Sequence, residues 1–463
     1  MSELKARLAR LRQSAAGLGS QTQAAQDAGL QQAGAPHQVQ TGPSVARSGG
    51  IEAPGSSALD AGFAEIGVRE EVNEAGAFLH RRLVYPATHR HGQYRLGELP
   101  GCARHLHPLA DRQDDEAQHP DVEKLLFLDT ETTGLGVGTG NVPFMIGVGY
   151  WSQETFVVEQ SFIRHPGEER AMLMWLSGVF KRATHLVTYN GRSFDWPLLE
   201  SRFVLNGWRR TGPGPRHLDL LHPARALWKH SLPTCRLGTV EEARLDIARE
   251  DDLPGALAPE MYMRFLQDGD AAQLKGVFAH NALDVLTLAV LAIHLGYLLG
   301  GQLGDAVPEP VEAEETFRTG IWLEKYGKLD DAKRLYDKLH YHLTADGACG
   351  NAPLMLALAA IYKRRRHWPR ALSLWKQAAA MMEAATVPQP DALVELAIYY
   401  EHRAKDYQAA LHCADRALAC IQRRMSAVRF ANAEVRKQKS LLEHRIARLK
   451  RKLEKQLPDV WWN

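Results

Sequence analysis

Apolar and polar positions follow three rhythms along the chain. Between residues 125 and 189 short apolar runs alternate with turn residues: LLFLDTET (125–132), FMIGVGYW (144–151), TFVVEQSFI (155–163) and LVTY (186–189). Runs of this length bounded by turns read as strands, and the first three predict a meander. GEERAMLMWLSGVFKRA (167–183) instead gathers its apolar residues on one helical face, and LKGVFAHNALDVLTLAVLAIHL (274–295) is a mostly apolar helix. Three antiparallel strands followed by alternating helices and parallel strands predict an α/β mixed sheet.

From about residue 311 the pattern is wholly helical and repeats itself. Ala332, Ala371 and Ala410 stand 39 residues apart, opening AKRLYDKL, ALSLWKQA and ALHCADRA. Tetratricopeptide repeats use such small-residue packing with a period of about 34, so longer loops near Gly350–Pro353 and Pro388–Pro390 fit a tetratricopeptide-like all-α array over 311–425. Such arrays offer a groove to proteins; a helical bundle packed on the preceding domain is the other reading. The segment 426–463 reads as a basic C-terminal helix. From Ile421 onward there are 12 Lys+Arg against 4 Asp+Glu, with Trp461 and Trp462 at the end. Basic helices attract phosphate and aromatic rings stack on bases. The Leu and Ile positions of KSLLEHRIARLKRKLEKQL equally suit packing on the repeats.

Residues 1–60 form a third kind of text, rich in Gln, Ala, Gly, Ser and Pro with almost no aromatic residue. They predict a disordered leader with a short helix at Leu4–Leu11. Residues 61–120 predict a small β-rich accessory segment, with strands in FLHRRLVYP and YRLGEL. Its histidines, His80, His89, His91, His105, His107 and His119, join Arg81, Arg82, Arg90 and Arg95 in a polar face suited to nucleic acid. With Cys102 as the nearby thiol, a zinc site is the weaker reading.

Composition narrows the classes. A chain of 463 residues suggests two or three domains, and a net charge of +2 leaves any attraction to phosphate to local patches. Cys102, Cys235, Cys349, Cys413 and Cys420 are scattered with no CxxC, which predicts a reduced, cytoplasmic protein. The N-terminal MSELKARLARLRQ is charged and amphipathic rather than signal-like, so no membrane is expected.

The candidate chemistry lies in acids at the ends of these elements. Asp129 and Glu131 are two apart on the first strand, so they share a face while Thr130 points away. Two carboxylates that close repel, and a divalent cation relieves them; a solvated strand edge is the bland alternative. Asp195 follows the Asn190-Gly191 turn and marks a helix start, with Pro197 just inside, where a capping role would also suffice. His280 and Asp284 are four apart on the apolar helix, hence stacked, and an Asp in so apolar a helix costs free energy unless paired or metal-bound. Asp219 ends another strand and reads as structural, and Cys235 carries no chemistry in this reading.

This order of motifs resembles the Asp-Glu-Asp-Asp exonucleases of the ribonuclease H-like superfamily. LVYPATHRHGQYRLGEL, FLDTETTGL, YNGRSFDWPLL and HNALDVLTL are similar to the YprB-type (MrfB-like) members of bacteria, over roughly residues 65 to 300. The resemblance implies a ribonuclease H-like catalytic domain over 121–300, with Asp129, Glu131, Asp195 and Asp284 holding two Mg²⁺ or Mn²⁺ ions and His280 as general base. Thr132, Gly134, Leu135 and Asn190 would border the terminal nucleotide. In the wider superfamily the base is a Tyr four residues, or a His five residues, before the last Asp; here His280 has the four-residue spacing and position 279 is Ala. The activity implied is 3′-to-5′ hydrolysis of DNA, with DNA preferred over RNA, in DNA repair and beside a DNA helicase held by the repeats. A structure-specific endonuclease or ribonuclease of the same fold, and a non-catalytic protein-binding scaffold, are the alternatives.

Overall fold

The structure, a computed structural model, describes residues 62–111, 119–134, 140–208, 214–250, 252–345, 351–427 and 433–455. The leader reading of 1–60, Leu135, Cys349, Trp461 and Trp462 lie outside the described residues.

One seven-stranded sheet organises the first part. Its strands are β1 (Val68–Asn73), β2 (Gly76–Pro86), β5 (Leu125–Thr132), β6 (Pro143–Ser152), β7 (Thr155–Phe162), β8 (His185–Thr188) and β9 (Arg216–Asp219), in the order β1-β2-β7-β6-β5-β8-β9. A two-stranded ribbon, β3 (Arg90–His91) and β4 (Tyr94–Arg95), stands apart. β5, β6 and β7 are antiparallel, and β8 and β9 run parallel to β5. The β6–β7 turn places Gln153 and Glu154 at φ 48° and 60°, the left-handed pair that a two-residue hairpin uses. The segment read as accessory supplies β1 and β2 to this same sheet, with Leu79 opposite Phe162 and Pro86 opposite Thr155. An apolar β2 face and the exposed edge of β7 make that pairing favourable.

Period-two alternation along β5 feeds two cores. Leu125 and Phe127 join a cluster with Trp151, Phe156 and Val187, while Leu126 and Leu128 join Phe144, Phe162 and Tyr262 on the other face. The Lys275–Gly300 helix explains its own composition: it is long and apolar enough to span a membrane, yet 83% of its most apolar stretch is buried in the fold. Glycines let it approach. A Cβ at Gly149 would lie 2.5 Å from Val285 Cγ1, and one at Gly147 would overlap the Asn281 side chain.

The described residues beyond 312 form three helical hairpins: Ala313–Lys325 with Leu329–Thr344, Ala352–Arg364 with Trp368–Ala384, and Asp391–Tyr399 with Tyr407–Ala427. Ala332, Ala371 and Ala410, spaced at the repeat length, are all fully buried. The first hairpin is fixed to the sheet domain by an Arg244–Glu315 ion pair, with Arg244 Nε 2.9 Å from Oε1. The helix Ala433–Glu454 buries Leu442, Ile446 and Leu449 on one stripe. Three of its cations converge on the fully buried Glu401: Arg445 at 2.7 Å, Arg448 at 2.8 Å and Lys452 at 2.9 Å. Part of the basic tail is therefore committed to an internal carboxylate.

Candidate active site

The C-terminal end of β5 puts two carboxylates on the strand's last residues, where a register shift between Glu131 and Thr132 breaks the ladder with β6. Asn281, fully buried one residue after His280, donates from Nδ2 to Asp129 Oδ2 at 2.8 Å. Gln160 Nε2 in turn donates to Asn281 Oδ1 at 2.9 Å, so the amide is held from both ends. Burial, then the charges of Asp284, Glu131 and Asp195, hold Asp129 well above the usual carboxylate range, against the Asn281 hydrogen bond. Glu131, 8% exposed, is raised the same way by burial and by Asp284, Asp195 and Asp252.

Asp195 reaches this cluster from the other layer. It is the first residue of the Asp195–Leu205 helix, with Phe194 at the N-cap, so its carboxylate is not a cap. Thr130 Oγ1 donates to it, which revises the expectation that Thr130 points away from the acids. Burial pushes the Asp195 carboxyl up to about 6, with the Thr130 bond opposing. The turn before it is fixed by Asp219, whose carboxylate accepts from the backbone N–H of Asn190 at 2.8 Å, Arg192 at 3.2 Å and Leu221 at 3.1 Å. Asn190 itself sits at φ 67°, a left-handed conformation that Asn tolerates.

His280 and Asp284 stack as their spacing predicts, with Nε2 3.7 Å from Oδ2. Two residues that the sequence reading passed over complete the site. Asp252 Oδ2 lies 2.8 Å from His280 Nδ1, and Arg249 bonds Asp284 and the fully buried Glu241 while standing 3.0 Å from Asp252. The carboxylate contact fixes the ring plane, with Arg249 Nη1 3.3 Å from the same Nδ1, and turns Nε2 toward Asp284. Gly255 flanks that nitrogen; a Cβ there would lie 2.8 Å from it. Burial opposes the Arg249 charge, but Asp284, Glu241 and Asp252 outweigh it and hold the guanidinium firmly protonated. The signal for both residues was the charged run AREDD before Leu253-Pro254-Gly255, which has no periodicity to set its facing.

Thr132 is buried and donates to the Gly134 carbonyl at 2.7 Å, which Asn141 Nδ2 also reaches at 3.2 Å. The histidines read as one polar face are dispersed. His80 is buried against Glu71 at 3.0 Å, His91 lies 3.0 Å from Thr287 Oγ1 in the core, and His107 packs edge-on to His119 with ring centroids 5.3 Å apart. His80 and His91 take buried positions on β2 and β3, strands whose other positions are largely open to solvent.

Among the described residues no three of His, Cys, Asp or Glu stand together as a ready-made ligand cage. The acids are instead separately tied by Asn281, Thr130 and Arg249. Their chemistry nevertheless fits a divalent cation: hard oxygen donors, with Asp284 and Asp195 raising both Asp129 and Glu131, and with the Arg249 guanidinium already drawn to Asp284.

A family model described as RNase_H superfamily matches residues 126–296, which span β5 to the long helix. The chain is also 34% identical over 389 residues to the uncharacterized protein YprB of Bacillus subtilis (strain 168), covering 84% of this chain and 89% of that one. The chain belongs to the family of YprB and carries an RNase H superfamily domain. Its β7-β6-β5-β8-β9 core is the sheet of an RNase H-like domain, followed here by an all-helical region. The RNase H-like fold implies a nucleic-acid substrate and hydrolytic cleavage, and nucleases of this superfamily generally use divalent metal ions.

Proposed function

We propose that this protein is a metal-dependent 3′-to-5′ exonuclease of the Asp-Glu-Asp-Asp kind, acting on DNA in repair within the bacterial cytosol or nucleoid. What supports this reading is that β5 and two helices bring in carboxylates that act on one another, Asp129 and Glu131 each being raised by Asp284 and Asp195, with His280 held at Nδ1 by Asp252. Those four acids would hold two Mg²⁺ or Mn²⁺ ions, which when bound supply charge for the phosphodiester and a more acidic water. His280 Nε2 takes the proton of the attacking water, and Asp252 stabilises the imidazolium that results. Asn281 orients Asp129, and Asp219 shapes the Asn190 turn that presents Asp195. Thr132, Gly134, Leu135 and Asn190 would border the terminal nucleotide, with the Gly134 carbonyl pinned by Thr132.

The test is incubation of purified full-length protein with 3′-labelled and 5′-labelled linear DNA in Mg²⁺, Mn²⁺ or EDTA, beside the double variant Asp129→Ala, Glu131→Ala. Mononucleotides released from the 3′ end, only with metal and only by the wild type, are expected. Cleavage of circular single-stranded DNA would move the reading to an endonuclease, and cleavage confined to RNA to a ribonuclease. No cleavage of any substrate would favour a scaffold whose helical hairpins, read as tetratricopeptide-like, are the working surface. A DNA helicase is the partner that reading gives the hairpins, and a pull-down with the purified helicase that fails with the hairpins intact would count against it.

A further inference from the structure

The turns of the three helical hairpins stack into one edge, and that edge is basic. Their left-handed residues, Gly327, Arg366 and Lys405, recur every 39 residues. Successive turns touch: Arg365 of the second lies 3.1 Å from Glu324 of the first, and Arg403 of the third lies 5.0 Å over the Trp368 ring of the second. Arg364, Arg366 and Lys405 are exposed, and among the described residues none of the three is in an ion pair. The nearby acids are largely engaged. Glu324 is held by Arg365 and by the Tyr336 hydroxyl at 2.8 Å, and Asp406 caps a helix through Ala409 N–H at 2.9 Å. Exposed Asp330 is the exception.

The edge ends at the sheet domain. Lys325 and Tyr326 of the first turn line a cavity of about 320 Å³ together with Arg192, His217, Asp219 and His222. Asp219 is the residue that fixes the Asn190 turn leading to Asp195. A strand lying along the three turns would therefore meet the rim of the acid cluster. We infer that this basic edge binds the sugar-phosphate backbone of a nucleic acid whose end is delivered to the acids. This rests on the nuclease reading above. Exposed, unpaired cations suit it because binding phosphate releases condensed counterions without first breaking internal ion pairs.

The experiment compares the full chain with a triple variant, Arg364→Glu, Arg366→Glu, Lys405→Glu, both carrying Asp129→Asn and both in EDTA, so that binding is read without cleavage. Fluorescence anisotropy with single-stranded 8-mers and 40-mers is recorded from 50 to 200 mM salt, and circular dichroism melts check folding. The triple variant is expected to lose about tenfold in 40-mer affinity and about 2 in the slope of log K against log salt, with 8-mer binding within about twofold. A conservative set, Arg364→Lys, Arg366→Lys, Lys405→Arg, should bind as the parent does, which guards against a folding defect as the cause. Unchanged 40-mer affinity and slope in the triple variant, or no binding of 40-mers by the parent, overturns the inference. If the unmodified chain cuts DNA while the triple variant binds normally, the basic edge fails alone. If length-dependent binding is lost but the unmodified chain cuts nothing, the nuclease reading fails and the binding edge stands.

Discussion

His280 is made useful by what touches its other nitrogen. Asp252 Oδ2 lies 2.8 Å from Nδ1, which fixes the ring plane, so Asp252→Asn should lower kcat by about 10² or more with KM changed little. Steady-state kinetics on a saturating DNA substrate checks this; a rise in KM at constant kcat would assign Asp252 to binding instead. Asp195 carries a second prediction. Its carboxyl is raised to about 6 from 3.8 by burial, so between those values the folded state binds the extra proton and stability falls as pH rises. Asp129 and Glu131 shift in the same direction and extend the loss to higher pH. In EDTA the wild type is expected to melt lower at pH 7.5 than at pH 5. Asp195→Asn should remove part of that difference, about 1.4 kcal/mol, since only about one pH unit of its shift falls between pH 5 and pH 7.5. Calorimetry at the two pH values decides it: equal pH dependence in both proteins would mean that Asp195 is not charged at a cost.

At the scale of elements, the site depends on how closely the long helix meets the sheet. Gly147 on β6 pairs with Asp129 on β5, and Asn281 occupies the space its side chain would fill. Gly147→Ala should therefore destabilise by about 1–3 kcal/mol and release Asp129 from Asn281, lowering activity beyond the stability loss. Gly178 is the contrast. It is exposed in the Glu169–Phe180 helix with open space at its Cβ position, so Gly178→Ala should stabilise by about 0.5–1 kcal/mol and leave activity unchanged. Paired thermal melts and nuclease assays separate the two; a stable, active Gly147→Ala would show that the helix has room to shift.

Across the whole molecule, the C-terminal helix is held to the hairpins by a charge arrangement as much as by its apolar stripe. Three cations surround Glu401, and their proximity, above all Arg448, overcomes burial and lowers its carboxyl to about 2. That stability is present above the ordinary glutamate range and is lost as pH falls toward 2. Removing the carboxylate leaves Arg445, Arg448 and Lys452 facing one another. Glu401→Ala should make residues 433–455 cleavable by trypsin several-fold faster while the sheet domain resists, read by mass spectrometry of timed digests. Unchanged cleavage would assign the attachment to Leu442, Ile446 and Leu449 alone.

Local pattern determined a good deal here. Period-two runs bounded by turns specified β5 to β8, the 39-residue recurrence specified the helical hairpins, and i,i+4 spacing stacked His280 on Asp284, because each depends on neighbours within a few residues or on repetition. What depends on distant neighbours was decided by tertiary structure. β2 reads as an amphipathic strand whatever it pairs with, and only the open edge of β7 made it part of the sheet. Thr130 alternates away from Asp129 along β5, but a helix from the other layer brings Asp195 to it at the strand end. Arg249 and Asp252 lie in a charged loop with no period to declare a face, and they acquired a role only when the chain folded that loop over the long helix, with Arg249 on Asp284 and Asp252 on His280.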